Sequence, residues 1–399
     1  MHFKTVNIKS NKIILLLLLS IFISSCSESF NLQTDTYEEA IVIEATLTNQ
    51  LKKQEIKITK TSKFEDKDVT IETGAKVIVK DNLNNEYVFV EKSGVYVSEL
   101  EFEVLSGREY NLEITTKDGK VYKSSNESLT TVSPITSIVP SVASTSKDGT
   151  GVQIKVNSYD PNRTANYYRY EYEETYKIIA PKWNADKLIV TGPQSVEIAD
   201  NDPAKRICYT TKKSTDIILT STNNLAEDRV NFTVRFIKES DYIIAHRYSI
   251  LVTQYVENLE AYTFHKTMKE ISSSNSVLSP KQPGVFSGNI RCTSNADERV
   301  MGYFDVASVS SQRIFFNYTD LFPPTNTPAY FNPCDNISYR FCFNNQAVPA
   351  CEGPALIAAI KDKSALYYSG SGSTYFMVEP VCGDCTTFSS NIIPSFWTN

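Results

Sequence analysis

The chain is organised around the stretch Ile41-Val42-Ile43-Glu44-Ala45-Thr46, in which Ile41, Ile43 and Ala45 alternate with the other three residues. This period of two is typical of a strand that buries one face. Further short segments of this kind follow between turn sequences, at residues 56–59, 77–79, 87–90, 95–97, 110–114 and 121–122. The Asp118-Gly119 dipeptide between the last two favours a hairpin, because a type I′ turn needs positive φ at both central residues. The pattern predicts an immunoglobulin-like β-sandwich over residues 37–133.

A second β-rich region is predicted over residues 134–399, after a boundary at Ser133-Pro134. Its alternating segments favour another sandwich, of fibronectin-III-like type, and lie at residues 152–156, 166–173, 217–220, 230–236 and 248–256. One short amphipathic helix is predicted near residues 258–271, where Asn258 can cap the first turn. Its apolar stripe consists of Ala261, Phe264, Met268 and Ile271. The fold class expected for the whole chain is therefore mainly all-β.

The N-terminus carries a short apolar run, residues 13–23, between a lysine-bearing segment and Ser24-Ser25-Cys26. These are the features of a bacterial lipoprotein signal, with plain secretion as the alternative. The run has only about half of the roughly 20 residues that a membrane-spanning helix needs. We therefore expect residues 1–25 to be removed, Cys26 to be lipidated, and residues 26–36 to form a tether. Ser27 after the cysteine favours the outer membrane, and Glu28 favours export to the cell surface.

The charge of the chain argues against nucleic acid as a partner. Residues 1–25 hold three lysines and no acid, so the formal net charge of −6 becomes −9 without them. Proteins bind nucleic acids through clustered lysine and arginine, which this balance does not favour.

The cysteines predict structural disulfides in the second half of the chain. Those that follow Cys26 are Cys208, Cys292, Cys334, Cys342, Cys351, Cys382 and Cys385. Disulfides are the usual state of cysteine in an exported protein, and seven cysteines leave one without a partner in the chain. A redox or zinc role for the Cys382-x-x-Cys385 motif is disfavoured, because no βαβ unit and no second ligand pair accompany it. The pairing itself stays open at this point.

The candidate binding residues are the aromatic side chains Tyr168, Tyr170 and Tyr172, which share one face of a predicted strand. They form either the core face of a sandwich or an exposed platform for a sugar or peptide. His246 and His265, the two histidines after residue 25, have no motif partner. We predict no catalytic residue, no metal site and no cofactor.

A series of segments in a fixed order carries a family resemblance. Besides the signal, they are residues 40–45, 208–209, 247–255, 260–264, 288–292, 300–304, 382–385 and 394–397, of which 247–255 (RYSILVTQY) and 288–292 (GNIRC) are the most distinctive. In this order they resemble the domain-of-unknown-function family numbered 4249, surface lipoproteins of Gram-negative bacteria. The family has no established activity, so no catalytic residue is carried over. Its genes typically neighbour those of TonB-dependent outer-membrane receptors, and the resemblance therefore implies an accessory to such a receptor.

Three functions are thus expected, in decreasing order of support. The first is a non-enzymatic lipoprotein of the outer-membrane surface that acts as an accessory or ligand-binding partner of a TonB-dependent receptor. The second is a structural or adhesive cell-surface protein without a role in transport. The third is an unrecognised hydrolase, which would need a deep cleft with two convergent carboxylates.

Overall fold

The computed structural model describes residues 40–61, 70–273, 288–343 and 351–398. The signal, Cys26 and the tether lie outside these residues, so the predictions made for them stay predictions. Strands dominate the described residues, which confirms the predicted all-β fold. None of the helices within these ranges has the length and apolar character needed to span a membrane.

The strands of the described residues fall into three groups along the chain. The first group contains β1 (Ile41–Thr48), β2 (Glu55–Lys60), β3 (Thr70–Ile71), β4 (Lys76–Asp81), β5 (Glu86–Lys92), β6 (Val95–Ser98), β7 (Glu109–Thr115), β8 (Val121–Ser124) and β9 (Glu127–Ser128). The second contains β10 (Ile135–Thr145), β11 (Gly149–Asp160), β12 (Tyr167–Ile179), β13 (Asp186–Gly192), β14 (Ser195–Asp200), β15 (Ile207–Lys213), β16 (Ile218–Ser221), β17 (Asp228–Lys238), β18 (Arg247–Glu257), β19 (Ile290–Cys292) and β20 (Val300–Asn317). The third contains β21 (Ile337–Arg340), β22 (Leu366–Ser371) and β23 (Thr374–Val378).

The helices are short and lie in the second half of the chain. The α-helices of the described residues are α1 (Leu259–Ser273), α2 (Gly353–Asp362) and α3 (Pro380–Gly383). Short 3₁₀ turns lie at Pro203–Lys205, Tyr242–Ile244, Tyr318–Asp320, Pro324–Asn326 and Cys385–Thr387.

The first group of strands forms the predicted immunoglobulin-like sandwich. Its layers, β1-β2-β6-β5 and β4-β7-β8, follow the order A-B-E-D and C-F-G of that fold. Hydrogen bonds between β4 and β5 join the two layers into one continuous sheet. Alternate residues such as Ile43, Ile58 and Leu112 enter one shared core. The hairpin predicted at Asp118-Gly119 connects β7 to β8, but the turn is not the expected type I′, because Gly119 has a φ of 87° and Asp118 has no positive φ.

The second group forms a second β-sandwich. One layer has the order β10-β11-β17 and the other the order β15-β12-β18-β20, with β16 also paired to β12. Three strands of one layer thus face four of the other, which is the general architecture expected of a fibronectin-III-like domain. Val152 and Ile154 from the first layer and Ile250 and Val252 from the second belong to one core.

Strand β20 belongs to both sandwiches. Its first half pairs in parallel with β1, from Val300 opposite Ile41 to Ala307 opposite Thr48. Its second half, from Ser308 onward, pairs antiparallel with β18. Strand β19 also pairs with β8 of the first sandwich. Residues 290–307 therefore complete the N-terminal sandwich. The sequence placed them in the second region, 134–399, and so did not predict that the two sandwiches share strands.

The remaining elements form a small C-terminal unit. The hairpin β13-β14, the sheet β21-β23-β22 and helix α2 surround a core that includes Leu188, Leu356 and Met377. Hairpin β13-β14 reaches this unit from its position in the chain between β12 and β15.

Helix α1 corresponds to the helix predicted near residues 258–271. The side-chain oxygen of Asn258 accepts a hydrogen bond of 2.7 Å from the backbone N–H of Ala261, which is the predicted N-cap. Ala261 is fully buried, whereas Ile271 at the end of the predicted stripe is exposed. The helix therefore packs on the sheets mainly through its first three turns.

Candidate functional site

The three tyrosines proposed as a binding platform lie on the core side of β12. Tyr168 and Tyr170 are 0% exposed, and Tyr172 is partly buried against the same core. The ring of Tyr170 stacks on Phe232 with centroids 5.7 Å apart, and Tyr168 donates a hydrogen bond of 2.8 Å to Asp228. The interpretation as an exposed platform is therefore wrong, because the layer β10-β11-β17 covers this face. The alternative reading, a core face, is the correct one.

The cysteines behave as structural residues. The disulfides of the described residues are Cys208–Cys385, Cys334–Cys382 and Cys342–Cys351, and Cys292 is a buried free thiol. The C-x-x-C cysteines are not bonded to each other, since each is bonded to a distant partner. The bond from Cys208 ties the C-terminal unit to β15.

A buried cluster of charges lies where α1, β12, β18 and β20 meet. Nε of Arg169 donates to Oε1 of Glu257 at 2.6 Å, and Nδ1 of His265 lies 2.9 Å from the same oxygen. Burial alone would raise the pKa of Glu257, but its contacts with His265 and Arg169 outweigh burial and lower that pKa. Glu257 is thus an ionised carboxylate with a 0% exposed side chain, held between two basic groups.

Asp305 on β20 is the second carboxyl group of this cluster. It is 1% exposed, and neither of its oxygens has a hydrogen-bond partner among the described residues. Burial, followed by the charge of Glu257, raises the pKa of Asp305 to about 8. The carboxyl group of Asp305 is therefore mostly protonated at neutral pH.

A third buried acid, Glu127 on β9, is satisfied by amide groups. Asn258 donates to its Oε2 at 2.9 Å, and Asn289 donates to its Oε1 at 2.8 Å. Glu127 therefore links the start of α1 to the segment before β19. No group of histidine, cysteine and acidic side chains in the described ranges is arranged to hold a metal ion.

A cavity of about 480 Å³ lies beside the charge cluster, between the two sandwiches. Its walls come from β1, β12, β20, α1 and the loop between β15 and β16. Arg169 and His265 line it together with the apolar side chains Phe264, Met268 and Met301. Small-molecule sites have volumes in this range and favour the interfaces between domains.

Sequence reasoning singled out only one of the polar residues at this cavity. His265 is noted for its residue type, whereas Arg169 at the cavity and Asp305 in the adjoining charge cluster carry no motif that would mark them. Their roles depend on the meeting of strands far apart in the chain. The tyrosines and the cysteines that the sequence did single out lie elsewhere.

The sequence model of a domain of unknown function, DUF4249, matches residues 27–313. The chain belongs to the DUF4249 family. The match covers both sandwiches and the cavity, and it ends before most of the small C-terminal unit. The segments at residues 382–385 and 394–397, which contributed to the resemblance, therefore lie beyond the DUF4249 match.

Gly288, the first residue of the DUF4249 segment 288–292, lies where no side chain fits. A Cβ atom on Gly288 would lie 1.5 Å from the carbonyl oxygen of Gly302. Gly302 has a φ of 142°, and its own Cβ would lie 2.1 Å from the carbonyl oxygen of Ile43. Only glycine permits this close approach of three backbone segments beside the cavity.

Other comparisons with known proteins add little to the DUF4249 assignment. No curated protein sequence gives a significant match. Among solved structures, the chain is similar to trypsin-activated alpha-2-macroglobulin from Escherichia coli, with 7% sequence identity and a TM-score of 0.18. The similarity covers 56% of this chain but only 15% of that one, and at this TM-score it carries no argument.

Proposed function

We propose that this DUF4249 protein is a lipid-anchored, non-enzymatic binding protein of the outer-membrane surface. It holds a small organic ligand in the cavity between its sandwiches and acts as an accessory to a TonB-dependent receptor. The observation that carries the binding role is the cavity itself, whose wall contains a guanidinium group already fixed in position.

The position of Arg169 is fixed by three contacts. Its Nε donates to Glu257, its Nη1 donates to Glu171, and its guanidinium carbon lies 4.0 Å from the ring centroid of Tyr255. Its Nη2 has no hydrogen-bond partner among the described residues. A side chain that is ordered before binding loses less entropy when a ligand arrives, so this arrangement favours recognition.

Burial keeps both carboxyl groups of the charge cluster out of reach of a ligand in the cavity. Catalytic acids and bases must come within hydrogen-bond reach of the substrate, about 2.6–3.2 Å between heavy atoms. Glu257 and Asp305 have pKa values shifted in opposite directions, as an acid–base pair would, but neither lines the cavity. A ligand in the cavity would contact Arg169 and His265 instead.

The arrangement of the sandwiches supports anchoring at one end. Strand β1 begins at Ile41 beside the start of β20, so the predicted tether enters at that end. Strand β20 has 18 residues, and an extended strand of this length spans about 55 Å, so its two ends lie that far apart. At the far end of β20, Nη2 of Arg247 lies 3.3 Å from the hydroxyl of Thr398 near the C-terminus. The disulfides of the C-terminal unit suit an oxidising compartment such as the periplasm or cell surface.

The receptor role can be tested by affinity purification of the full-length protein from detergent-solubilised native membranes. We expect a TonB-dependent receptor to co-purify with the lipidated protein, and a Cys26→Ser variant to leave the membrane fraction. A structural or adhesive protein would instead be recovered in the membrane fraction without a receptor. Recovery of the wild type as an unacylated soluble protein would contradict the anchoring.

The binding role has a separate test in native mass spectrometry of the purified protein. We expect a small molecule bound to the wild type and lost from a Met268→Trp variant, in which the indole fills the cavity. Lys269→Trp serves as the matched control, because this neighbour on α1 does not line the cavity. Equal occupancy in both variants would contradict binding in the cavity.

A further inference from the structure

We infer that the cavity takes a short peptide with free amino and carboxyl ends and apolar side chains. This inference rests on the proposed binding function and names its ligand class. It follows from three kinds of surface that line one cavity, each matched to a different part of such a ligand.

The carboxylate end is matched by Arg169 and His265. Nε and Nη1 of Arg169 are used within the protein, whereas its Nη2 has no partner in the part of the chain that the structure describes. His265 uses Nδ1 towards Glu257 and leaves Nε2 without such a partner. Both side chains line the cavity, so an incoming carboxylate can accept a hydrogen bond from Nη2 of Arg169 without breaking an existing pair. Nε2 of His265 adds a second donor in the imidazolium form, in which both ring nitrogens carry a proton.

The ammonium end is matched by acids in the same wall. Asp216, in the loop between β15 and β16, is exposed and makes no ion pair or hydrogen bond through its side chain with any described residue. Glu171 has a half-exposed side chain that already contacts Arg169 and Tyr255, which holds it in place. Two carboxylates in one cavity attract a ligand cation and repel phosphates and other polyanions.

The apolar part of the ligand is matched by Phe264, Met268 and Met301. Methionine side chains are flexible and polarisable, and they adapt to ligands of different shape. A wall of this composition favours apolar side chains without selecting a single one. The volume of about 480 Å³ suits a ligand larger than one amino acid, such as a dipeptide or tripeptide.

The inference can be tested by isothermal titration calorimetry with three forms of one dipeptide. The probes are leucyl-phenylalanine, its N-acetyl form without the ammonium group, and its C-terminal amide without the carboxylate. We expect the free dipeptide to bind and each blocked form to bind at least tenfold more weakly.

A variant locates the ammonium end of the ligand. Asp216→Asn should weaken the free dipeptide about tenfold and leave the N-acetyl form unchanged, since that form has no ammonium group. Asp335→Asn, at an exposed aspartate outside the cavity, is the matched control and should change neither affinity. Circular dichroism of each variant shows whether the fold is retained.

The outcomes separate this inference from the proposed function. Equal or tighter binding of a blocked form would overturn the zwitterionic ligand class and still leave a binding protein. Failure of all three forms to bind the wild type would overturn the peptide inference. In that case, native mass spectrometry decides the proposed function. A small molecule that is bound to the wild type and lost from Met268→Trp would still support a binding protein. If the wild type carried no small molecule, the peptide inference and the proposed binding function would both fail.

Discussion

The side chain of Asn289 is hydrogen-bonded to both backbone groups of Phe304. Its Oδ1 accepts from the N–H of Phe304 at 2.7 Å, and its Nδ2 donates to the carbonyl oxygen at 2.8 Å. Asn289 precedes β19 at one end of the sheet of the first sandwich, and Phe304 lies in β20 beyond the other end. A side-chain amide thus takes the place of strand pairing where the sandwich closes, which gives residues 288–292 a structural role.

Substitution of this asparagine should weaken the closure of the sandwich. We expect Asn289→Ala to lower the free energy of unfolding by about 3 kcal/mol, because partners of Phe304 and Glu127 are lost and each unsatisfied buried group costs about 1–3 kcal/mol. Urea unfolding followed by tryptophan fluorescence measures this. The control is Asn391→Ala, whose side chain makes one exposed bond to a carbonyl and should change stability by less than about 0.5 kcal/mol. Equal effects of the two changes would contradict the role of Asn289.

Asp305 should make the protein less stable as the pH rises. Its pKa is raised to about 8 in the folded state, so between about pH 4 and pH 8 the folded state binds more protons than the unfolded state. Stability contributed by the protonated carboxyl is therefore present at low pH and lost as the pH rises. Asp305→Asn removes this titration. We expect the free energy of unfolding of the variant to gain about 4 to 5 kcal/mol on that of the wild type between pH 4.5 and pH 8.5.

Unfolding midpoints of both proteins across this pH range test the prediction. The difference in stability between the two proteins at each pH excludes the contribution of groups that titrate equally in both. These groups include the acids that become protonated below pH 5. A constant difference between wild type and Asp305→Asn at every pH would show that Asp305 is ionised throughout.

The strands themselves were largely predictable, whereas their sharing between sandwiches was not. The alternation at residues 41–46 and the turn at Asp118-Gly119 indicate half-buried strands, and the structure has them. In β20, residues 302 to 309 are all buried, because one sandwich covers each face in turn. A strand buried on both faces loses its period of two, so the alternation that marks the other strands does not mark β20 as one continuous strand.

The candidate site was hidden from the sequence for a related reason. The alternation at Tyr168 and Tyr170 shows two faces, but it does not show which face is covered. Arg169, on the opposite face, is also buried, because α1 and the first sandwich lie over it. The sequence pattern predicts an exposed position for Arg169. It becomes part of an internal charge cluster only because strands that are distant in the sequence pack over it.

The buried ion pair should contribute far more than an exposed one. Glu257→Gln removes the fully buried ionised partner of Arg169 and leaves it only the half-exposed Glu171, and removing one member of a buried pair costs about 3–5 kcal/mol. The control is Glu44→Gln, which breaks an exposed 3.4 Å pair with Lys57 and should cost less than about 1 kcal/mol. Chemical denaturation at pH 7 compares the two variants. A similar small effect of both would mean that water enters the cluster and screens the charges.

The disulfides should differ in their contribution to stability according to the loops that they close. Cys208–Cys385 links residues 177 apart and Cys342–Cys351 links residues 9 apart. In the chain-entropy account, the longer loop is worth about 5 kcal/mol and the shorter about 3 kcal/mol. We therefore expect Cys208→Ser with Cys385→Ser to lower the free energy of unfolding by about 2 kcal/mol more than Cys342→Ser with Cys351→Ser.

Unfolding in urea under oxidising conditions measures both double variants, and peptide mapping without reductant verifies that the remaining bonds are native. The buried thiol of Cys292 should resist alkylation in the folded protein and react on unfolding, which gives a second readout of stability. If the Cys342–Cys351 pair proved the more important, the small C-terminal unit would depend on its local loop. Its attachment to β15 would then come from non-covalent contacts, such as the edge-to-face contact of Trp397 with Tyr209.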